Sequence, residues 1–488
     1  MGTTVGMYGD LQGIAGRSLQ EIEGLSLAAF QGQTAKIKEM MRVNKDSSTT
    51  SISPEASAPA GTAVKSTQPP SNLPAIHDAA QQARNLRQVL QDDKQRIGCF
   101  VGAGCPLGVY DAAGEKSITL IPAVVELTAR IAAGLSNSDQ AAGKKSKYRE
   151  HWDALCAECK QDGNKEPTVE DILTELRTLA NRRGNASVLG MTKTELNNLD
   201  EKICTLIAGE VRKTLPEYRN AYNRFASWIG GVNRGSPVEI FTPNYDVLFE
   251  QAFEQHPIPH FDGFVGSHKP WFDLASIEHD AIPPRWTRLW KLHGSINWEK
   301  NEETVNGSKI SRVVRVTREA ADGKVMIYPS HLKYDQSRRM PYLAMLDRLR
   351  AFFHGKDAPR LVVCGYSFLD DHLNEVLLDG LRGNRNAQCF ALMYSGIDQH
   401  KRVVEYARKQ SNLTVLAWDG AVAGTRLGRY RPGTTGGSEH QPWLTEVEVG
   451  DGEAKELQPR SRLGDFHYFG LFLEQLCGGG NADAQLAY

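Results

Sequence analysis

Four short apolar runs, each followed at once by a turn of glycine or polar residues, constrain the fold of this chain most strongly. A run of this kind predicts a buried strand, and the turn marks the carboxyl end of that strand. In a parallel sheet these ends lie at one edge, so the four turns are expected to converge on a ligand. The runs and their turns are residues 97–101 and 102–104, 237–241 and 242–246, 289–290 and 291–295, and 361–364 and 365–367. The pattern predicts an α/β fold with a Rossmann-like parallel sheet and a nucleotide site.

The size and charge of the chain exclude several classes of protein. With 488 residues it is long enough for two or three domains and a sizeable core. Its 57 basic and 58 acidic residues leave a formal net charge of −1, which gives no bulk attraction to nucleic acids or membrane surfaces. No apolar run approaches the ~20 residues of a membrane helix, and the N-terminus lacks a basic-then-apolar signal pattern. We therefore expect a cytoplasmic protein without a membrane or a direct nucleic-acid partner.

The eight cysteines are scattered along the chain. Cys99, Cys364 and Cys389 fall inside predicted core strands, where a reduced thiol behaves as a small hydrophobic side chain. Cys156 and Cys159 form the one close pair, and a single pair at this spacing is a weak zinc signal. Plain thiols in a reducing compartment are the favoured interpretation, and no metal is expected.

Two segments of different composition precede the predicted sheet. Residues 1–45 have a moderately helical pattern and form a possible assembly element. Residues 46–75 are rich in Ser, Thr, Pro and Ala and bury too little apolar surface to offset the entropy of ordering, so a flexible linker is predicted. A helix tethered in this way could dock on a neighbouring subunit or remain a frayed surface segment, and the sequence leaves both open.

A Rossmann-like domain is predicted over residues 76–425, with an inserted helical module at about 123–233. The module separates the first glycine turn from the next core strand. Further elements of this domain are predicted from shorter patterns: strands at 313–316, 325–327, 389–393 and 414–418, and a helix at 340–354. Residues 426–488 are predicted to form a C-terminal loop and helix. The loop, rich in Gly, Arg and Thr, is expected over 420–437, and the helix over 466–476.

The first turn consists of Gly102, Ala103 and Gly104 directly after a predicted strand. Glycines at such a place let backbone N–H groups approach a pyrophosphate closely. The signal is weak alone, because a tight turn without a ligand explains it equally well. The full G-x-G-x-x-G pattern is absent, since Leu107 occupies the position of the third glycine.

The second turn carries an amide and a carboxylate, Asn244 and Asp246, on either side of Tyr245. If the backbone stays extended at this strand end, both polar side chains point the same way. An amide and a carboxylate on one side suit a ribose hydroxyl and a carboxamide group. The alternative is an Asx-type cap after a strand.

The last two turns add an imidazole and a hydroxyl. His293 precedes Gly294, which leaves space for a ligand beside the ring, and an imidazole can accept a proton or orient water at neutral pH. Gly365, Tyr366 and Ser367 offer a backbone turn and a hydroxyl that suit a phosphate or an adenosine ribose. Each turn has an ordinary structural explanation singly, but four in this order favour one site.

This ordered set resembles the sirtuin family, and more narrowly its bacterial defence-associated branch, over roughly residues 96–418. The resemblance implies that the domain at 76–425 binds NAD as its substrate. It further implies that Asn244 positions the nicotinamide ribose and the attacking water, Asp246 holds the carboxamide, and His293 is the base or orienting group. The cofactor-binding set that it implies is Gly102, Ala103, Gly104, Asn244, Asp246, Gly365, Tyr366 and Ser367.

Two departures from the sirtuin pattern bear on the reaction. Protein-deacylating sirtuins carry two Cys-x-x-Cys pairs after the His-Gly motif, whereas Cys364 is the one cysteine here between His293 and Gly365. Deacylases also follow the glycine turn with a Gly-Ile-Pro-Asp-Phe-Arg segment, and residues 105–110 lack its Phe-Arg. The resemblance therefore implies an NAD⁺ glycohydrolase in which water is the acceptor. An NAD-dependent protein deacylase and a non-catalytic NAD or ADP-ribose-binding assembly module remain the alternatives.

The resemblance to the defence branch also implies a biological role. It implies an antiphage abortive-infection effector that depletes cellular NAD. Such an enzyme is expected to be controlled by assembly, as a homo-oligomer and with a HerA-type ATPase or another defence-system partner.

Overall fold

The computed structural model describes residues 73–111, 119–137, 146–161, 164–181, 187–305, 308–316, 325–327, 341–354, 358–433, 441–449 and 455–477. Its centre is a mostly parallel sheet whose strands follow the order β1-β15-β14-β13-β12-β11-β2-β3-β7-β4. These strands are β1 Ala75–His77, β2 Ile97–Val101, β3 Glu239–Thr242, β4 His260–Phe261, β7 Thr287–Lys291, β11 Arg360–Cys364, β12 Gln388–Leu392, β13 Leu413–Leu416, β14 Gly420–Ala423 and β15 Arg426–Tyr430. The predicted α/β fold with a Rossmann-like parallel sheet is confirmed.

The four apolar runs form four neighbouring central strands because both faces of the sheet are covered. Successive residues of a strand point to opposite faces, and the buried side chains divide accordingly between two hydrophobic cores. Cys99 and Val101 of β2 belong to one core, whereas Phe100 between them belongs to the other. In β11, Val362 and Val363 divide in the same way. Continuous apolar runs are therefore what these positions require.

Helices cover the two faces of the sheet within the described residues. They are α1 Ala79–Gln91, α2 Val124–Ser136, α3 Lys147–Gln161, α4 Val169–Asn181, α5 Lys193–Val211, α6 Ala221–Gly231, α7 Leu248–Gln255, α8 Leu274–Glu278, α9 Tyr342–Phe353, α10 Asp371–Gly383, α11 Lys401–Lys409 and α12 Phe466–Leu476. The module inserted between β2 and β3 consists of α2 to α6. Its longest helix begins in a capping box, in which Thr192 and Glu195 satisfy each other's backbone N–H groups. Helix α12 covers the predicted residues and packs on α6.

A second sheet is five-stranded and antiparallel, and its longest strand begins directly after His293. Its strands follow the order β10-β8-β9-β6-β5. They are β5 Phe264–Val265, β6 Trp271–Phe272, β8 Gly294–Val305, β9 Ser308–Arg315 and β10 Val325–Ile327. The short strands predicted at 313–316 and 325–327 are parts of this larger sheet, whose strand β8 the sequence did not reveal.

The prediction of a loop at 420–437 is wrong for residues 420–430. Strands β14 and β15 form an antiparallel hairpin there, and β15 continues the main sheet by pairing in parallel with β1. Gly424 and Thr425 both have positive φ, 55° and 67°, which is the backbone of a tight two-residue hairpin turn. The predicted domain boundary between 425 and 426 therefore falls inside one hairpin of the main sheet.

Several predictions concern the ends of the chain. The helical segment at 1–45 and nearly all of the linker at 46–75 lie outside the described residues. The last residue of that linker, Ala75, begins β1. None of the described helices combines the length and the apolarity that crossing a membrane requires. A further strand pair, β16 Leu444–Val449 and β17 Glu456–Ser461, forms a separate antiparallel ribbon within the region predicted as loop and helix.

Candidate functional site

The four turns lie at the carboxyl ends of four adjacent parallel strands, in the spatial order β11-β2-β3-β7. From β2 the chain adds β3 and β7 on one side, whereas β11, β12 and β13 extend the sheet on the other side. The strand order therefore reverses between β2 and β11. Open parallel sheets bind ligands in the crevice outside the strand ends at such a reversal. The topology brings all four predicted motifs to that place.

The glycine turn after β2 contacts the glycine turn after β11 through backbone atoms. The N–H of Gly102 donates to the carbonyl of Cys364 at 2.9 Å, and the N–H of Gly104 donates to the carbonyl of Gly365 at 2.8 Å. A Cβ atom on Gly102 would lie 2.4 Å from the Gly365 oxygen, so only glycine permits this approach. Two of the N–H groups expected near a pyrophosphate thus hold the two turns together, and Ala103 and Gly104 are exposed at the sheet edge.

The turn after β11 is anchored by its tyrosine. The Tyr366 ring packs between Phe100 and Phe368, with centroids 4.7 and 4.8 Å away, and its hydroxyl donates to Asn374 Oδ1 at 2.9 Å. Burial raises the pKa of the Tyr366 phenol. This side chain is therefore a core residue, which leaves only its backbone for the cofactor contact expected of it. Ser367, the next residue, is exposed.

Asn244 is buried at the end of β3 and oriented by the neighbouring strand. Strand β3 ends at Thr242, whose hydroxyl donates to the Val101 carbonyl at 2.7 Å and accepts the N–H of Asn244 at 3.1 Å. The side-chain Nδ2 of Asn244 donates to the Gly102 carbonyl at 3.2 Å. Its Oδ1 is buried and has no hydrogen-bond partner among the residues that the structure describes. One half of this amide is fixed by the protein, and the other half is an acceptor without a donor.

Asp246 is buried and forms an Asx-type turn just before the next helix. Its Oδ1 accepts the N–H of Leu248 at 3.1 Å, which begins α7. Strand β3 ends at Thr242, so Asn244 and Asp246 lie in the segment between β3 and α7 and not in the strand itself. Burial raises the pKa of the Asp246 carboxyl, and the nearby Lys291 ammonium opposes that rise. The predicted Asx-type cap and a ligand role for the other oxygen are compatible in this arrangement.

Lys291 lies behind Asp246 and was not assigned a role from the sequence. The side chain is 1% exposed, and its Nζ donates to the Asp246 carbonyl and to Glu250 Oε1, the latter at 3.2 Å. Glu250 belongs to the first turn of α7. An ammonium this deeply buried requires such partners. The pair connects the end of β7 with the helix that follows Asp246, and no local sequence pattern predicts it.

His293 is buried where β7 passes into the second sheet, and Gly294 after it has a φ of +94°. The imidazole Nε2 lies 3.1 Å from Oδ2 of Asp370. Asp370 also caps α10, because its Oδ1 accepts the N–H groups of His372 and Leu373. Sequence reasoning missed this carboxylate as a site residue. The available signal was an aspartate at an N-cap position three residues after the Gly-Tyr-Ser turn.

The arrangement combines an amide acceptor, a carboxyl group and an imidazole–carboxylate pair at one edge of a parallel sheet. Such groups can bind hydroxyls, hold a carboxamide and accept a proton, and they require no redox chemistry. The thiols of Cys105 and Cys364 lie beneath this edge, where burial raises the pKa of Cys105 well above its ordinary value. They are packing groups rather than nucleophiles.

Comparison with known proteins gives one family match. Residues 238–416, from the start of β3 to the end of β13, match the family described as SIR2-like domain. That range includes Asn244, Asp246, His293 and the turn at Gly365, whereas the glycine turn after β2 precedes it. No curated protein matches the chain.

Two solved structures are among those to which the chain shows similarity. One, described as "Structural Basis for the Mechanism and Regulation of Sir2 Enzymes", is 12% identical, covers 66% of this chain and 88% of its own, and has a TM-score of 0.29. The other is a Sir2 mutant with a p53 peptide and NAD, which is 10% identical, covers 64% of this chain and 86% of its own, and has a TM-score of 0.26.

Proposed function

Because this chain belongs to the sirtuin-like family through its SIR2-like domain, we propose that it is an NAD⁺ glycohydrolase. The family supports an NAD-related function in general. The reaction that we propose cleaves the bond between nicotinamide and ribose and transfers the ADP-ribosyl group to water. The products are nicotinamide and ADP-ribose.

The observation that carries this proposal is the unpartnered oxygen of Asn244. Its Nδ2 donates to the Gly102 carbonyl, which fixes the amide so that Oδ1 is turned the other way. A buried acceptor without a donor costs about 1–3 kcal/mol, and at the carboxyl edge of the sheet, where the four turns meet, a bound ligand can supply the missing hydrogen. A ribose hydroxyl and a water molecule are both suitable donors. Asn244 can therefore hold the ribose beside the bond that breaks and orient the water that attacks.

The other residues receive roles that fit their contacts. We assign to Asp246 the nicotinamide carboxamide, through the oxygen that does not accept the N–H of Leu248. Ala103 and Gly104 border the pyrophosphate, because they are the exposed part of the first turn. Gly365 and the exposed hydroxyl of Ser367 border the adenosine side. For Tyr366 we assign a backbone contact alone.

The chemistry needs positioning more than covalent participation. The C–N bond breaks through an oxocarbenium-like transition state, and nicotinamide leaves as a neutral base. The water oxygen then bonds to the anomeric carbon, and the proton that it loses passes to the imidazole of His293. The orientation of water and leaving group in a buried site supplies most of the rate enhancement.

Two alternative functions make different predictions at the same site. An NAD-dependent deacylase requires a cleft for an acyl-lysine peptide and releases nicotinamide only when that peptide is present. A non-catalytic module binds NAD or ADP-ribose without turnover. The segment after His293 forms β8 and β9, and residues 294–316 contain no cysteine from which a zinc module could be built. We therefore favour water as the acceptor.

The test is incubation of the purified full chain with NAD⁺ while free nicotinamide and ADP-ribose are measured. We expect release by the wild type and loss in Asn244→Ala and His293→Ala. Asn223→Ala is the matched control, since Asn223 is an equally buried amide with an unpartnered Oδ1 in the helical module. Release that depends on an acetylated peptide supports the deacylase, and NAD binding without release supports the module.

We further propose that the hydrolase acts in antiphage defence as a homo-oligomer, with a HerA-type ATPase or another defence protein as partner. The test is the NAD content of phage-infected cells, where any trigger is present. Cells that express the wild type are expected to lose NAD on infection, whereas cells with Asn244→Ala retain it. Equal NAD levels in both would contradict the role in defence.

A further inference from the structure

We propose that Asp370 is a positioning residue that fixes the tautomer of His293, an inference that rests on the proposed function. The imidazole Nε2 and Asp370 Oδ2 are 3.1 Å apart, and both side chains are almost fully buried, at 4% and 10% exposure. A carboxylate at Nε2 favours the tautomer with the proton on Nε2. In that tautomer the lone pair lies on Nδ1, so Nδ1 is the ring nitrogen with the capacity to accept a proton.

The two residues belong to strands that are not neighbours. His293 follows β7 and Asp370 follows β11, and β2 and β3 lie between these strands in the sheet. At about 4.8 Å between neighbouring strands, the ends of β7 and β11 are roughly 14 Å apart. The segment from Gly365 to Asp370 therefore spans the strand ends to reach the imidazole. Positive φ values of 64° at Gly365 and 58° at Phe368 give it the required turns.

The carboxylate of Asp370 is held in place independently of His293. Its Oδ1 accepts the N–H groups of His372 at 3.0 Å and Leu373 at 3.2 Å, and its backbone carbonyl accepts the Tyr366 hydroxyl at 3.2 Å. With Oδ1 engaged in the cap, Oδ2 is the oxygen that lies 3.1 Å from the imidazole Nε2.

Capping alone does not require an aspartate at this position. Serine and asparagine cap helices about as well as aspartate does. What aspartate adds is a second, negatively charged oxygen. That oxygen can accept the Nε2 proton and stabilise the imidazolium that forms when His293 takes a proton from water. The negative charge of Asp370 therefore serves the His293 imidazole in addition to capping α10.

The decisive variant is Asp370→Asn, which retains the capping oxygen and replaces Oδ2 by an amide that donates to Nε2. We expect the proton of His293 to move to Nδ1. The ¹⁵N chemical shifts of the ring detect this move, and His293→Gln serves to assign the signals of His293. We expect kcat for NAD⁺ cleavage to fall about 100-fold, within the range of general-base effects, with KM changed less than about threefold. Thermal unfolding should match the wild type, because the cap remains.

Asp371→Asn is the matched control. It neutralises the adjacent carboxylate, which is 73% exposed and pairs with Arg402 away from His293. We expect wild-type kcat and the wild-type tautomer. Asp370→Ser is the second variant, since serine caps the helix but is too short to reach the ring, and we expect it to lower kcat as Asp370→Asn does.

Two results would overturn the inference. One is an unchanged His293 tautomer in Asp370→Asn, and the other is a changed tautomer with a kcat equal to that of Asp371→Asn. If the wild type itself cleaves no NAD⁺, the proposed function fails. The ring spectra then still decide whether Asp370 sets the tautomer.

Discussion

The side-chain amide of Asn244 donates to the backbone carbonyl of Gly102, which follows the neighbouring strand, at 3.2 Å. The side chain of the residue that we assign to the ribose is thus oriented by the glycine turn, whereas its backbone N–H is held by Thr242 of its own strand. Gly102 is in turn bonded to Cys364, and Gly104 to Gly365. Three strand ends form one connected hydrogen-bond network, so a change in either glycine turn is expected to reach the amide.

The variant Asn244→Asp tests the orientation of this amide. It places a carboxylate oxygen opposite the Gly102 carbonyl in place of the Nδ2 donor, and two acceptors in a buried site repel each other. We expect a loss of about 1–3 kcal/mol in the free energy of unfolding and at least 100-fold in kcat for NAD⁺ cleavage. Urea unfolding and nicotinamide release measure the two effects.

The control for Asn244→Asp is Asn223→Asp. The Nδ2 group of Asn223 donates to Gln255 Oε1 at 2.9 Å inside the helical part of the chain. We expect a similar loss of stability but normal turnover per folded molecule. Equal turnover in the two variants would show that the Asn244 amide has no role in catalysis.

The variant Gly365→Ala tests the contact between the two glycine turns. Gly365 has a φ of +64°, and an added Cβ would lie 2.6 Å from the backbone nitrogen and the sulfur of Cys105. Backbone strain for a non-glycine residue there costs about 1–2 kcal/mol before the clash is counted, so we expect a total loss of at least about 2 kcal/mol. Urea unfolding measures it.

Gly383→Ala is the matched control for this substitution. Gly383 is the last residue of α10, and an added Cβ would meet nothing within 4 Å. Alanine there is expected to stabilise the protein by about 0.5 kcal/mol, because it restricts the unfolded chain. A Gly365→Ala protein as stable as Gly383→Ala would contradict the tight contact of the turns.

The central strands could be predicted because their sequence pattern is local. Residues 97–101 and 361–364 are continuously apolar, and strands buried on both faces require such runs. The hairpin β14–β15 was not predicted, because its short strands contain Gly and Arg, its turn contains Gly and Thr, and the whole segment resembles a loop. Their positions are fixed by pairing with β13 and β1, which lie far apart in the sequence.

The same distinction between local sequence patterns and contacts from distant segments applies to the site. Asn244 and His293 were found because polar residues after apolar runs mark strand ends. The contacts that orient them come from elsewhere: Gly102 for Asn244 and Asp370 for His293. Such contacts depend on which loops meet above the sheet, and no periodicity in the sequence reports that. Tyr366 shows the converse, since a residue in a site motif has its side chain in the core.

The variant Lys291→Met tests the buried ion pair behind the site. It removes the ammonium that bonds Glu250 Oε1 at 3.2 Å and leaves a buried carboxylate without its cation. We expect a loss of about 3–5 kcal/mol in the free energy of unfolding. The double variant Lys291→Met with Glu250→Gln should recover part of that loss, because the charge of Glu250 is gone while the buried Asp246 still lacks the nearby ammonium. A double-mutant cycle in urea measures the coupling.

Lys300→Met is the control for this pair. Lys300 and Glu302 also form an ion pair, but their side chains are 45% and 57% exposed. Exposed pairs contribute about 0–1 kcal/mol, so the control should change stability little. If Lys291→Met costs no more than Lys300→Met, the buried pair does not stabilise the strand end.

The pH dependence of stability tests the packing of α12 against the site. Burial, with the nearby charges of Arg224 and Arg462, lowers the pKa of His467 to about 4 from 6.5. Gly108 lies just after the first glycine turn, and a Cβ added to it would lie 3.2 Å from the backbone nitrogen of His467. The start of α12 therefore packs on that segment.

The direction of this effect follows from proton uptake. The unfolded chain protonates this imidazole below pH 6.5, whereas the folded chain protonates it only near pH 4. Between these values the unfolded state binds more protons, so the contribution is complete above pH 6.5 and is lost as the pH falls toward 4. His467→Gln removes the titrating group and should flatten that part of the wild-type curve. Urea unfolding across this pH range measures both proteins, and identical slopes would show that burial does not lower the pKa of the His467 imidazole.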